Sequence, residues 1–242
     1  MAAVTTRGLT KRYKEITAVD HLDLRIESGE LFSLLGVNGA GKSTTIKMLT
    51  CLTKPTEGEA YVEGFSTTEE PWKIKSLIGV SPQETAVAPT LSVKENLELM
   101  CGAHGLSRKQ REEKIRQLTD QLDLKDILSK RAGKLSGGWQ RRVSIAMALV
   151  SEPKVLFLDE PTLGLDVIAR RELWDVIRDM KGKVTIILTT HYMEEAEMLS
   201  DRIGIMKDGK LLVAGSAGEL MEKTGTDRFE DAFVAVVKEA GV

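Results

Sequence analysis

Residues Gly36-Val37-Asn38-Gly39-Ala40-Gly41-Lys42-Ser43 match the spacing G-x-x-x-x-G-K-[ST]. The chemistry this pattern serves is the cradling of a triphosphate. Gly36, Gly39 and Gly41 let the backbone approach closely and turn its N–H groups toward phosphate oxygens. A helix beginning near Lys42 and running through Thr44 adds the positive end of its dipole. Lys42 is placed to bridge the β- and γ-phosphates, and Ser43 to offer a hydroxyl to Mg²⁺. Further along, Asp159 and Glu160 stand side by side. Phosphoryl transfer to water needs one carboxylate that orients Mg²⁺ and another group that orients or deprotonates the water, and these two suit those roles in that order. Ser136-Gly137-Gly138 opens a helical pattern, where a serine and two glycines serve either as an ordinary cap or as an anion site.

Elements must bring these groups together. Leu31–Leu35 runs into Gly36, Val155–Leu158 runs into Asp159-Glu160, and Val184–Thr190 runs into His191. Short continuous apolar runs fit strands covered on both faces, as in a parallel sheet. Ligands of such sheets bind beyond the carboxyl ends of the strands, so three polar motifs at three such ends point to one shared site. Antiparallel structure is expected elsewhere: Tyr61-Val62 precedes Glu63-Gly64, and Asp208-Gly209 between apolar runs is a hairpin signal. From about Leu91 to Val150 the pattern turns helical, with Ile115, Leu118 and Leu122 on one face. The basic run Arg108–Arg111 alternates into Glu112, Glu113 and Arg116, which reads as a solvated helix face. The expected fold is α/β: a P-loop core with a mostly parallel sheet, an N-terminal antiparallel β part and an inserted α-helical lobe. Within one domain of 242 residues, 1–87 and 151–220 form the core, 88–150 the helical lobe and 221–242 a C-terminal helical tail.

Composition narrows the partners. With 34 basic and 36 acidic side chains, a formal charge of −2 provides no net field for capturing DNA, RNA or anionic lipid. Cys51 and Cys101 are too few for a disulfide framework and lack metal-ligand spacing. No stretch approaches the ~18–20 apolar residues that cross a bilayer, and the start lacks the order of a secretion signal.

Leu135-Ser136-Gly137-Gly138-Trp139-Gln140, placed between the phosphate loop and the carboxylate pair, completes an order that resembles the nucleotide-binding subunit of ATP-binding-cassette transporters over nearly the whole chain. The resemblance implies ATP and Mg²⁺ as cofactors and a head-to-tail dimer in which Ser136 and Gly138 face the γ-phosphate held by a second copy. Trp139 stands where the family usually has glutamine, and Gln140 follows one place later. Tyr13 resembles the aromatic that stacks on adenine, and Gln83 the glutamine that touches Mg²⁺ and water and links the site to the membrane subunit. Asp166 resembles the aspartate coupling the two sites, and His191 the switch histidine that contacts the γ-phosphate and attacking water. The implied partners are a second copy of the chain and a separate transmembrane permease, with no nucleic acid. The implied location is cytoplasmic, peripheral on the inner face of the cell membrane.

The run Thr190–Arg202 and the ending Phe229–Val234 resemble the branch that powers exporters of drugs, lipids, polysaccharides or ions, with no regulatory domain expected beyond. An importer subunit and a soluble cassette ATPase acting on DNA or ribosomes are the alternative readings. The second usually carries a long coiled coil or two tandem cassettes, and one phosphate loop in 242 residues offers neither.

Overall fold

The computed structural model describes residues 1–240. Residues 241–242, the end of the expected tail 221–242, lie outside the described residues. The chain opens on two long antiparallel strands, β1 (Ala2–Tyr13) and β2 (Ile16–Glu27). In β2 the buried residues Leu22, Leu24 and Ile26 alternate with exposed ones, the period-two pattern of a sheet with one face on a core. Strands β4 (Glu57–Val62) and β5 (Phe65–Ser66) extend this sheet to the order β2-β1-β4-β5.

The second sheet contains β3 (Leu31–Leu35), β6 (Ile78–Ser81), β7 (Val155–Asp159), β8 (Thr185–Thr190), β9 (Arg202–Lys207) and β10 (Lys210–Gly215) in the order β10-β9-β3-β8-β7-β6. Its pairings are parallel except β9–β10. Strands β3, β7 and β8 are buried along their whole length, and the reason lies in the pleat. Leu156, Leu158, Ile186 and Leu188 enter one hydrophobic core, while Val155, Phe157 and Ile187 enter another on the opposite face. Asp208 (φ +49°) and Gly209 (φ +80°) form the expected hairpin, both in the left-handed region that a two-residue turn demands.

Helices cover these faces. α1 (Lys42–Leu49) follows β3, and α2 (Pro71–Leu77) precedes β6. Between β6 and β7 lie α3 (Val93–Ala103), α4 (Arg108–Gln121) and α5 (Gly137–Leu149). Ser92 with Glu95 and Ser107 with Gln110 close capping boxes at the starts of α3 and α4, satisfying N–H groups that the first turn leaves unpaired. Ile115 and Leu118 turn the apolar face of α4 onto Leu97 and Cys101 of α3 and Val143 of α5, in the same core as Leu156 of the sheet. α6 (Val167–Met180), α7 (Met193–Leu199), α8 (Ala217–Thr224) and α9 (Phe229–Glu239) complete the chain, and α8 runs across position 221.

α5 and β6 approach so closely at Gly79 that a Cβ there would lie 2.3 Å from the Ala148 carbonyl oxygen. Gly79→Ala therefore forces the helix off the strand. Overpacking of this kind costs about 1–3 kcal/mol. Thermal unfolding of the variant should show a Tm lowered by about 2–4 °C for each kcal/mol.

Candidate nucleotide-binding and hydrolysis site

The phosphate-loop sequence leaves the carboxyl end of β3, which lies between β8 and β9. Two of its glycines are steric necessities. A side chain on Gly36 would place its Cβ 2.4 Å from the Met206 carbonyl oxygen. One on Gly41, at φ +102°, would lie 2.5 Å from that of Ala18. The loop is knitted to its surroundings through backbone: Gly209 N–H donates to Ala40 O at 3.2 Å, Asp20 N–H to Gly209 O at 2.9 Å, and Gly36 N–H to Thr190 O at 3.3 Å. The β9–β10 hairpin tip and β2 thus buttress the loop from beneath, and α1 begins directly after it with its unpaired N–H groups at the loop end.

Lys42 is 5% exposed, and its ammonium donates to Gly36 O at 2.7 Å and Val37 O at 3.3 Å. It also lies 3.3 Å from Glu160 Oε1. The other oxygen of the same carboxylate is 2.6 Å from His191 Nδ1. A carboxylate only accepts, so the imidazole proton belongs on Nδ1. Glu160 therefore stands between the loop lysine of α1 and the histidine after β8. Thr189 of β8 orders both acids: its hydroxyl donates to Asp159 Oδ1 and accepts from Glu160 N–H at 3.0 Å. Glu160 has φ +49°, a conformation that costs a non-glycine residue about 1–2 kcal/mol and that the Thr189 contacts hold in place. Ser43 Oγ donates to Asp159 Oδ1 at 3.1 Å, joining the loop to the end of β7.

These groups border a cavity of about 520 Å³ lined by residues 38–44 together with Ala18, Gln83, Glu160, Leu163 and His191. Gly36 and Val37 support it through the Lys42 contacts, and Asp159 through Ser43. Sequence reasoning missed Ala18 and Leu163, and no local pattern marks either. Four further expected site residues also lie outside the cavity lining. Tyr13 is 44% exposed at the end of β1 with the Lys11 ammonium 5.0 Å from its ring centre. Ser136 occupies the N-cap position of α5 on the surface with no capping hydrogen bond from its side chain, Gly138 packs α5 against α6 with a Cβ position 3.1 Å from Ala169 Cβ, and Asp166 caps α6 by accepting from Ile168 N–H and Ala169 N–H.

Three further groups around the site also escaped the sequence. Arg141 of α5 is buried and donates to the carbonyls of Pro82 and Gln83; burial lowers its pKa. Tyr192 packs its ring 4.1 Å from that of His191, and Arg170 of α6 lies 4.2 Å over Tyr192. Glu195 of α7, fully buried, accepts from Thr162 Oγ1 at 2.8 Å and Trp174 Nε1 at 2.9 Å, and burial pushes its carboxyl pKa up. Each draws its meaning from partners on other elements, which spacing along the chain does not reveal.

The family description "ABC transporter" matches residues 19–163, more than half of the chain and all of the loop-to-carboxylate order. The chain belongs to the ABC transporter family. Daunorubicin resistance ATP-binding protein DrrA3 of Streptomyces coeruleorubidus is 40% identical over 240 residues, covering 99% of this chain and 75% of its own length. Phospholipid-transporting ATPase ABCA3 of Homo sapiens is 41% identical over 229 residues, which are 93% of this chain and 13% of that much longer protein. The dimeric post-hydrolysis structure of the ATP-binding cassette MJ0796 bound to ADP and Pi superposes with a TM-score of 0.79 at 30% identity, covering 88% of this chain and 98% of that one.

As an ABC ATPase, the chain hydrolyses ATP with Mg²⁺ as cofactor. The residues fit the ion: Ser43 and Gln83 line the cavity, and the Asp159 carboxylate lies 3.1 Å from Ser43 Oγ. Among the described residues no cluster of three or more His, Cys, Asp or Glu is suited to a metal. Mg²⁺ binds in that manner, through one or two carboxylates plus substrate phosphates and water.

Proposed function

We propose that this ABC ATPase closes head to tail with a second copy around ATP and powers export through a separate membrane permease. The observation that carries the hydrolytic reading is the Glu160 carboxylate held between Lys42 and His191 at the mouth of the phosphate loop. On this reading residues 36–44 cradle the phosphates, and Lys42 leaves its backbone carbonyls for the β/γ oxygens. Ser43, Asp159 and Gln83 hold Mg²⁺, which neutralises charge on those oxygens when bound. Glu160 takes the proton of the attacking water, and His191 steadies it and the γ-phosphate. Tyr13, at the end of β1, stacks on adenine in this scheme.

Ser136 and Gly138 belong to the partner's cavity in this scheme, and Asp166 couples the two sites across the dimer. Their positions outside their own cavity support that assignment, as does the dimeric cassette MJ0796. Export is supported by relatives named for drug resistance and phospholipid transport. No helix among the described residues is long and apolar enough to cross a membrane. On this reading a membrane permease supplies the channel and the ATPase works on its cytoplasmic face. The helical segment 88–150, adjoining Gln83, would pass the closing motion to it.

Two measurements test the proposal. Full-length protein should release phosphate from Mg·ATP. A tagged copy solubilised from its own membranes should elute with a polypeptide carrying several apolar spans of about 20 residues. Co-elution with ribosomes or DNA in place of a membrane protein would overturn the transport reading.

A further inference from the structure

α5 lies along β6 and the segment that follows it through one helix face. Ala148 abuts Gly79, Ser144 Oγ is 2.9 Å from Ser81 Oγ, and Arg141 meets Pro82 and Gln83. Positions 141, 144 and 148 recur at the three-to-four spacing of one face. Arg141 is the last contact of this row, where the strand ends and the Gln83 segment begins. It is 4% exposed, and Nη1 and Nη2 lie 2.5 Å from the carbonyl oxygens of Pro82 and Gln83 respectively. A buried guanidinium is tolerated only where its donors meet acceptors, and here one planar fork grips two consecutive carbonyls.

The geometry has a definite mechanical meaning. Each carbonyl belongs to a rigid peptide plane, and the two planes in question are those immediately before and after the Gln83 Cα. Fixing both fixes the φ and ψ of Gln83. We infer that Arg141 is a positioning residue for the hydrolytic site: by holding the carbonyls on both sides of Gln83 it sets that residue's backbone and aims its side chain into the nucleotide cavity. The inference rests on the reading that Gln83 meets Mg²⁺ and water. It also ties Gln83 to Ser136, since Arg141 and Ser136 sit on the same helix within two turns.

The test uses the full chain with three single variants and one double. Arg141→Met keeps a stem and removes every donor. Arg141→Lys keeps the charge, but its single ammonium cannot span both carbonyls as a planar fork does. ATP affinity is measured by calorimetry with EDTA and with Mg²⁺, and amide hydrogen exchange is followed over residues 80–86. ATP affinity without metal should stay within about twofold, while the gain in affinity conferred by Mg²⁺ falls at least about fivefold in Arg141→Met and about two- to threefold in Arg141→Lys. Exchange at residues 83–85 should rise in the same order. Gln83→Ala should lose the Mg²⁺ gain as well, and adding Arg141→Met to it should cost nothing further, because both changes remove one interaction. Losses that multiply in the double variant would overturn the inference. So would an unchanged Mg²⁺ gain in either Arg141 variant, and Arg141→Lys decides alone should the Met variant not fold. A Gln83→Ala variant that keeps the full Mg²⁺ gain would defeat the reading of Gln83 itself. Loss in Gln83→Ala with none in the Arg141 variants would defeat the inference alone.

Discussion

Glu160→Gln should bind ATP at least as tightly as the unaltered protein while turning it over about 10²–10³-fold more slowly, within the range that a positioned general base supplies. The substitution keeps the shape of the side chain and its acceptor oxygen, but the amide cannot take a proton from water. It also removes the negative charge 3.3 Å from the Lys42 ammonium, both side chains being about 6–7% exposed. In so dry a setting that charge competes with the phosphates for Lys42, so its loss frees the ammonium for ATP. Slow hydrolysis with intact binding should trap the closed pair, visible as a dimer by light scattering in Mg·ATP and as a monomer without nucleotide. Wild-type phosphate release by this variant would remove Glu160 from the role of base.

Lys42→Ala should fail at the earlier step. The ammonium is buried, donates to Gly36 and Val37 carbonyls and lies at the start of α1, within reach of whatever the loop holds. Charge-assisted hydrogen bonds of this kind contribute about 1.5–3 kcal/mol, which corresponds to a loss of about 10- to 150-fold in ATP affinity. Calorimetry with ATP resolves such a change directly. The variant also leaves Glu160 buried with His191 as its remaining ion-pair partner, so thermal unfolding should record a destabilisation. An affinity for ATP equal to that of the unaltered chain would sink the assignment of Lys42 to the phosphates.

What the sequence made legible has a common physical basis. Leu31–Leu35, Val155–Leu158 and Thr185–Thr190 announce themselves because a strand feeding apolar cores on both faces has little room for polar residues along its length. The phosphate loop is legible because close backbone approach admits only glycine at positions such as Gly36 and Gly41. The long β1–β2 pair is much less so. Register shifts between Ala2 and Val4, Thr6 and Leu9, and Leu9 and Lys11 break the alternation of β1, whose burial follows the twisted ladder and not the residue count. Ala18, Arg141 and Thr189 are silent for a different reason: an alanine under a loop, an arginine between two carbonyls and a threonine between two acids are defined by elements distant in the chain. Tyr13 is legible only through resemblance, because nothing in the spacing around an exposed strand end marks it.

The placement of Ser136 on the outer surface, away from its own cavity, has a kinetic consequence under the proposed head-to-tail arrangement. Well below the concentration at which copies associate, the activity of free protein would climb as the square of the amount added, so halving the dose would cut the velocity about fourfold by mass action. Anything that corrals two copies at one spot, such as a membrane anchor site with paired berths, would restore proportionality and lift the rate without altering a single catalytic atom.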